Sequence, residues 1–226
     1  MNEENYTIIE KISLAVQAGD ALETVSLVEK AVADGNKAQD IIDNGLKVGI
    51  EELDRKFQGM KAFIPEILVG ARAFNKGTIA LKSIVSDDDI DKPLGKVVAA
   101  TVSGDLHDIG KTLVCIMLEG AGFDVVDLGV DVPASEIIEA IKNEKPDILA
   151  LSMLISTSMG VARDVIGQLI KAGVRDNVCV MIGGDPINQE FCDSIGADYY
   201  AENAFEVPPI AKKVMAKKPE VKVKSK

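Results

Sequence analysis

The chain has 226 residues, 47% of them apolar, and a formal net charge of −11, enough for one or two domains with cores of their own. Its last ten residues hold five Lys and one Glu, so residues 1–216 alone carry −15. That disfavours nucleic acid as a partner, since binding a phosphate backbone needs a basic face.

The first 85 residues read as helices only. Ile8, Ile9, Ile12, Leu14 and Ala15 predict a first amphipathic helix, ended near Gly19-Asp20. Leu22, Val25, Leu27, Val28, Ala31 and Val32 predict a second, ended at Asp34-Gly35. A third spans about Ala38 to Phe57. A fourth follows Pro65, a residue suited to a first helical turn, and runs toward Ile84. Four helices with short connections predict a four-helix bundle over residues 1–90. The acidic stretch Ser86 to Pro93 reads as a linker, and as a hinge on which the helical module moves as a unit.

From residue 91 to 216 the pattern changes. Short apolar runs at Val97–Val102, Asp124–Leu128, Ile148–Leu154, Val178–Ile182 and Asp198–Tyr200 alternate with amphipathic helices. Five such repeats predict an α/β domain, flavodoxin/Rossmann-like, with a five-stranded parallel sheet. Residues 217–226 read as a basic flexible tail. Cys115, Cys179 and Cys192 are odd in number and lack CxxC spacing, as free thiols of a reducing cytoplasm would be. Neither a signal peptide nor an apolar run near the roughly 20 residues of a membrane span is evident, so a cytoplasmic location without membrane contact is expected.

The single histidine, His107, falls on the loop after the first strand, within Gly104-Asp105-Leu106-His107-Asp108-Ile109-Gly110. Open α/β sheets place ligand chemistry on such loops. Asp105 can accept the Nδ1 proton and leave Nε2 free for a metal. One histidine cannot build a protein-only zinc site, which takes three or four ligands. It can be one axial ligand to a metal whose other positions a macrocycle fills. The third such loop holds Ser152, Ser156 and Ser158, and the fourth holds Gly183-Gly184. Taken alone, the serines could cap a helix, the glycines could serve a turn, and His107 could be an ordinary hydrogen-bonded histidine. An Asp105–His107–Ser158 hydrolase triad lacks a Gly-x-Ser-x-Gly elbow. A response-regulator-like receiver lacks an evident acidic cluster with its Lys.

The stretch Gly104 to Gly110 resembles the Asp-x-His-x-x-Gly signature of cobalamin-binding domains, with Ser152-Met153-Leu154 as the Ser-x-Leu element and Gly183-Gly184 as the Gly-Gly element. The helical half is similar to the cap module of methionine synthase and of the small corrinoid proteins of methanogens and acetogens. The likeness spans about residues 1–215 and resembles a free-standing corrinoid subunit of a methyltransferase system, not catalytic alone. It implies cobalamin or a related corrinoid, cycling between methylcobalamin and cob(I)alamin. The nucleotide tail would be detached from cobalt and threaded beside the sheet. His107 would be the lower axial cobalt ligand, and Asp105, His107 and Ser158 would form a proton relay. Ser152 and Ser156 would bond the tail, and Gly110, Gly183 and Gly184 would make room for it. Gly104, Asp108, Ile109 and Leu154 complete the implied cofactor-binding set. Implied partners are a substrate-specific methyltransferase, a tetrahydrofolate or coenzyme M methyltransferase, and a reductive activator. The same loop occurs in adenosylcobalamin mutase subunits and in cobalamin-sensing regulators. The helical cap favours a methyl carrier over the first, and the acidic chain without a DNA-binding domain favours it over the second. Two positions depart from the family pattern. Asp185 stands where a small neutral residue is usual, and a carboxylate there would repel the nucleotide phosphate unless turned outward or hydrogen-bonded. Phe74 stands where a Met is common, near the Phe63-Ile64-Pro65-Glu66-Ile67-Leu68 segment that resembles the apolar cap helix.

Overall fold

The computed structural model describes residues 6–86, 90 and 92–217. The chain divides into two compact units, one up to Lys92 and one from Pro93. Asp87, Asp88, Asp89 and Asp91 of the acidic linker, and residues 218–226 of the basic tail, lie outside the described residues.

In the first unit, α1 (Ile8–Ala18) starts at a capping box: Thr7 Oγ1 accepts from Glu10 N, and Glu10 Oε2 accepts from Thr7 N. It stops at Gly19, whose φ of +71° suits glycine. Asp20 caps α2 (Ala21–Ala33). The third predicted helix is continuous but changes type, from α3 (Ala38–Asp40) through a π-helical segment (Ile41–Leu46) into α4 (Lys47–Gln58). Periodicity near 3.6 does not announce this. Ile41 and Leu46 are five apart and both fully buried, a spacing that a turn with i→i+5 bonds puts on one side. Pro65 sits in the first turn of α5 (Ile64–Ile84). The unit closes by packing α1 on α2, α4 and α5, and α5 on α2 and α4.

The second unit is a parallel sheet of β1 (Lys96–Thr101), β2 (Asp124–Asp127), β3 (Ile148–Ser152), β4 (Cys179–Gly183) and β5 (Tyr199–Ala201). Its order is β2-β1-β3-β4-β5, the flavodoxin-like order. The helices are α6 (Ile109–Gly120), α7 (Ala134–Glu144), α8 (Met159–Lys171), α9 (Gln189–Ile195) and α10 (Val207–Lys217). One face of the sheet buries Val98, Leu149 and Val180 against Ile137 of α7 and Val165 and Leu169 of α8. The other buries Val97, Ile148 and Met181 against Leu118 of α6 and Ala211 of α10. Both faces being covered explains why the central strands read as unbroken apolar runs. β3 is shorter than the sequence implies. It leaves the ladder after Ser152, where Met153 N still reaches Gly183 O and Leu154 N turns to Asp105. No described helix is long and apolar enough to cross a membrane.

Candidate functional site at the carboxyl edge of the sheet

β2 is added on one side of β1 and β3 on the other, so the loops after the parallel strands β1 and β3 part and open a crevice at the carboxyl edge. Asp105 lies at its base, fully buried. Its Oδ1 accepts from His107 Nδ1 at 2.7 Å and from His107 N at 3.0 Å. Its Oδ2 accepts from Leu154 N at 2.6 Å and Ile155 N at 3.3 Å. Burial alone would push this carboxyl up. The amides of Leu154 and His107, the His107 ring and the Ile155 amide outweigh it and hold the group at about 2. A carboxylate that accepts at Oδ1 requires the neutral ring to carry its proton on Nδ1, which leaves Nε2 with a free lone pair. The His107 side chain is 54% exposed.

Ser158, the third residue of the relay that the resemblance implies, is 2% exposed and lies near this pair. Its hydroxyl lies 2.7 Å from Ile155 O and 3.3 Å from Asp105 Oδ2, so the Ile155 carbonyl is the closer acceptor. Thr101 Oγ1 donates to His107 O at 2.9 Å, a second tie on the loop. Asp108 precedes α6 and its carbonyl accepts from Thr112 N; its side chain makes no cap. On the segments that follow β1, β2 and β3, Leu106 is 72% exposed, Ile109 55%, Leu154 42% and Val130 36%. Large apolar side chains left uncovered on segments that meet at one sheet edge suit a flat, partly apolar ligand.

Beside this rim lies a cavity of about 320 Å³, within the range of small-molecule sites. It runs between the sheet and helices α6 and α10. Ala99, Ala150 and Ala201, from three different strands, form its floor with Met181. The larger Leu151 and Ile182 point into the core on the opposite face. Three alanines on one face are thus what leaves the space open. Gly110, Ser152, Leu154, Gly183 and Gly184 all line it. Ser156 does not; it is exposed at the start of a short 3-10 turn.

The glycines in this set differ in what they do. A Cβ on Gly110 would meet nothing within 4 Å. A Cβ on Gly184, at φ +133°, would lie 1.6 Å from Met153 O, and one on Gly183 3.1 Å from Ala201 O. Gly184 is therefore demanded by the close approach of the Met153 carbonyl, whether or not a ligand is present, while Gly183 is in a tight contact that a small shift would relieve. Asp185 lines the cavity but is largely exposed, so water screens its charge.

Three residues at the site carry no sequence motif. Lys111 is 4% exposed, lines the cavity, and forms a very short ion pair with Asp127 at the end of β2. Asp131, at φ +55°, accepts from Gly104 N and Ser103 Oγ. A lysine on the inward side of an apolar helix, one turn beyond His107, is the only hint that the sequence offers. Burial, with the Asp127 carboxylate next, pushes the neighbouring Cys115 thiol up to about 12, so it is no thiolate at neutral pH. Among the described residues no three His, Cys, Asp or Glu side chains gather to hold a bare metal ion. The donor set fits a metal that brings its own equatorial ligands, with one imidazole below it.

Residues 95–208 match the family described as a B12 binding domain, and residues 8–82 match a second family of the same description. The chain is 42% identical over 192 residues to dimethylamine corrinoid protein 1 of Methanosarcina acetivorans, covering 85% of this chain and 90% of that one. It is 39% identical over 201 residues to trimethylamine corrinoid protein 1 of the same organism, covering 88% and 93%. A crystal structure of the methanol:cobalamin methyltransferase complex from Methanosarcina barkeri superposes with a TM-score of 0.85 at 32% identity, covering 97% of this chain and 84% of that one. A cobalamin-binding protein from Desulfitobacterium hafniense gives 0.69 at 30% identity, covering 90% and 96%.

Proposed function

Because this chain belongs to the B12-binding family of corrinoid proteins, we propose that it carries a methyl group between two methyltransferases, on a corrinoid seated over His107. The cofactor is cobalamin or a related corrinoid. When bound, it supplies cobalt as the centre that takes up and gives away the methyl group. Everything else falls to the protein. The His107 ring, fixed through Nδ1 to a buried carboxylate, is the observation that carries the reading, because it aims one free lone pair out of the sheet edge.

Each remaining residue has a task that follows from its place. Asp105 keeps the proton on Nδ1, so Nε2 would be free to hold the cobalt of a bound corrinoid. When Nε2 is not ligated and takes a proton, the ring becomes a cation beside the Asp105 carboxylate, which is anionic at neutral pH. Ser158, donating to the Ile155 carbonyl, steadies the loop whose amides hold the far oxygen of that carboxylate. The exposed apolar side chains of Leu106, Ile109, Val130 and Leu154 would help to exclude water from a bound corrinoid, with Gly104 and Asp108 shaping the loop. The cavity would take the nucleotide tail, with Ser152 on its lining as hydrogen-bond partner and Gly110 leaving it room; Ser156, outside that lining, gains no such role from its position. The partners are a methylamine or methanol methyltransferase on the donor side, a tetrahydrofolate or coenzyme M methyltransferase on the acceptor side, and a reductive activator. Cys115, Cys179 and Cys192 form no disulfide with one another, which fits a cytoplasmic setting.

The test is reconstitution with cob(II)alamin and paramagnetic resonance. The wild-type protein should show splitting from one axial nitrogen, and His107→Ala should lose it. Methyl uptake from a methylamine or methanol with the cognate methyltransferase should fall in the same variant. Unchanged nitrogen splitting in His107→Ala would remove the axial assignment, and methyl uptake from neither donor class would remove the carrier reading.

A further inference from the structure

The loop after β2 reaches across to the loop that carries His107, and Asp131 is where it does so. Asp131 adopts φ +55°, a left-handed conformation that costs a residue with a Cβ, although Asp and Asn tolerate it best. Strain of this kind persists only where surrounding contacts impose it. Here those contacts all end on the histidine loop. Asp131 Oδ1 accepts from Gly104 N at 2.7 Å and from Ser103 Oγ at 3.0 Å. Asp131 N donates to Asp105 O at 3.0 Å. Gly104 is itself at φ +82°, so two left-handed residues on two loops are locked face to face by a carboxylate. Asp105 is then gripped from both sides. The loop after β3 holds its carboxylate through Leu154 and Ile155, and Asp131 holds its main chain.

We propose that Asp131 is a positioning residue for the axial histidine. It acts through Asp105, fixing the backbone of Gly104 and Asp105 so that the Asp105 carboxylate meets His107 Nδ1 and Nε2 keeps its lone pair and its aim. The proposal rests on His107 being the cobalt ligand. Asp131 is exposed and outside the cavity wall, so its role needs no contact with the corrinoid. The backbone strain at Asp131 and the order of the histidine loop are two sides of one arrangement.

Three substitutions separate the carboxylate from the strain. Asp131→Ala removes the acceptor and leaves a Cβ at positive φ. Asp131→Gly removes the acceptor and relieves the strain. Asp131→Asn keeps an acceptor oxygen and the tolerance for positive φ. Because His107 is the only histidine, ¹⁵N spectra of the corrinoid-free protein, taken where the ring is neutral, report its tautomer alone. The wild type and Asp131→Asn should show the Nδ1-protonated form. Asp131→Ala and Asp131→Gly should show mixed tautomers, should bind cob(II)alamin about 10-fold more weakly, and should lose much of the axial nitrogen splitting. The idea fails if both of those variants keep one tautomer and full splitting. It fails also if only the Ala variant changes, because strain and not the carboxylate is then the cause. If His107→Ala keeps its nitrogen splitting, the ligand assignment falls while the tautomer spectra still decide the role of Asp131.

Discussion

His107 and Asp105 form a pair of opposites: a ring 54% exposed is joined at 2.7 Å to a carboxylate with no exposed surface. The buried partner makes the exposed one directional. Four N–H donors surround the Asp105 oxygens, so the carboxylate cannot turn to follow a moving ring. The ring must come to it.

Asp105→Asn should therefore reverse the tautomer. The amide oxygen is best placed on the Oδ2 side, facing Leu154 and Ile155, which turns its NH₂ toward His107 Nδ1. That nitrogen then becomes an acceptor, and the neutral ring carries its proton on Nε2, the atom needed for cobalt. The NH₂ also meets His107 N, an uncompensated donor pair costing about 1–3 kcal/mol. The variant should bind corrinoid about 10- to 100-fold more weakly, with weakened axial nitrogen splitting. Wild-type affinity and splitting together would contradict it.

The same carboxylate sets an acid limit. Its folded value of about 2 lies below the ordinary 3.8, so its contribution to stability is complete above about pH 4 and is lost as pH falls through about 2. Denaturant titrations of the corrinoid-free protein should show the wild type losing its advantage over Asp105→Asn between pH 5 and 2. A constant difference across that interval would show that Asp105 does not titrate in this window.

The Lys111–Asp127 pair is asymmetric, with side chains 4% and 37% exposed. Asp127→Asn leaves a buried ammonium without its counter-charge and should cost about 3 kcal/mol or more. Lys111→Met leaves a carboxylate that water and Gly129 N still reach, and should cost under about 1.5 kcal/mol. Urea unfolding of the two variants checks the order, and equal losses would mean that the ammonium finds water.

Much of this was legible because chemistry and backbone shared one segment. Asp105, His107 and Gly110 lie within six residues, and βα alternation alone places them at the sheet edge. Five strands and four helical rods follow from periodicity. What periodicity could not show were features made by separate segments meeting. The π-helical turn at Ile41–Leu46 depends on which residues α1 covers. The cavity needs Ala99 and Ala150 paired on neighbouring strands and Ala201 on the same face two strands further on, and each alone is an unremarkable strand alanine. Asp131 meets Gly104 across 27 residues of chain. The Gly-Gly element was visible, but its reason, the Met153 carbonyl against Gly184, was not.

The cavity floor can be filled without disturbing the core. Ala150 is 9% exposed and its side chain faces the empty space. Ala150→Leu would place apolar atoms there against Val114 and Met181, leaving stability unchanged or slightly raised. It should weaken corrinoid binding at least about 10-fold while leaving the His107–Asp105 tautomer as in the wild type. Tight, base-off binding in this variant would mean that the nucleotide tail lies elsewhere.

Two glycines of the site should answer opposite ways to the same added methyl group. In Gly184→Ala the Cβ would fall 1.6 Å from Met153 O, at a φ of +133° that side chains rarely adopt. The loops after β3 and β4 must separate, and the corrinoid-free protein should lose about 3 kcal/mol or more. In Gly110→Ala the Cβ meets no atom within 4 Å, and Gly110 is the second residue of α6. Alanine suits a helix better than glycine, so this variant should be as stable as the wild type or gain up to about 1 kcal/mol. Its cost should appear only with the cofactor, because the added methyl group occupies the wall shared by the cavity and the His107 rim. Paired unfolding and corrinoid-binding titrations separate the two cases. If Gly110→Ala binds as tightly as the wild type, the corrinoid does not approach the start of α6, and the place assigned to it beside His107 is wrong.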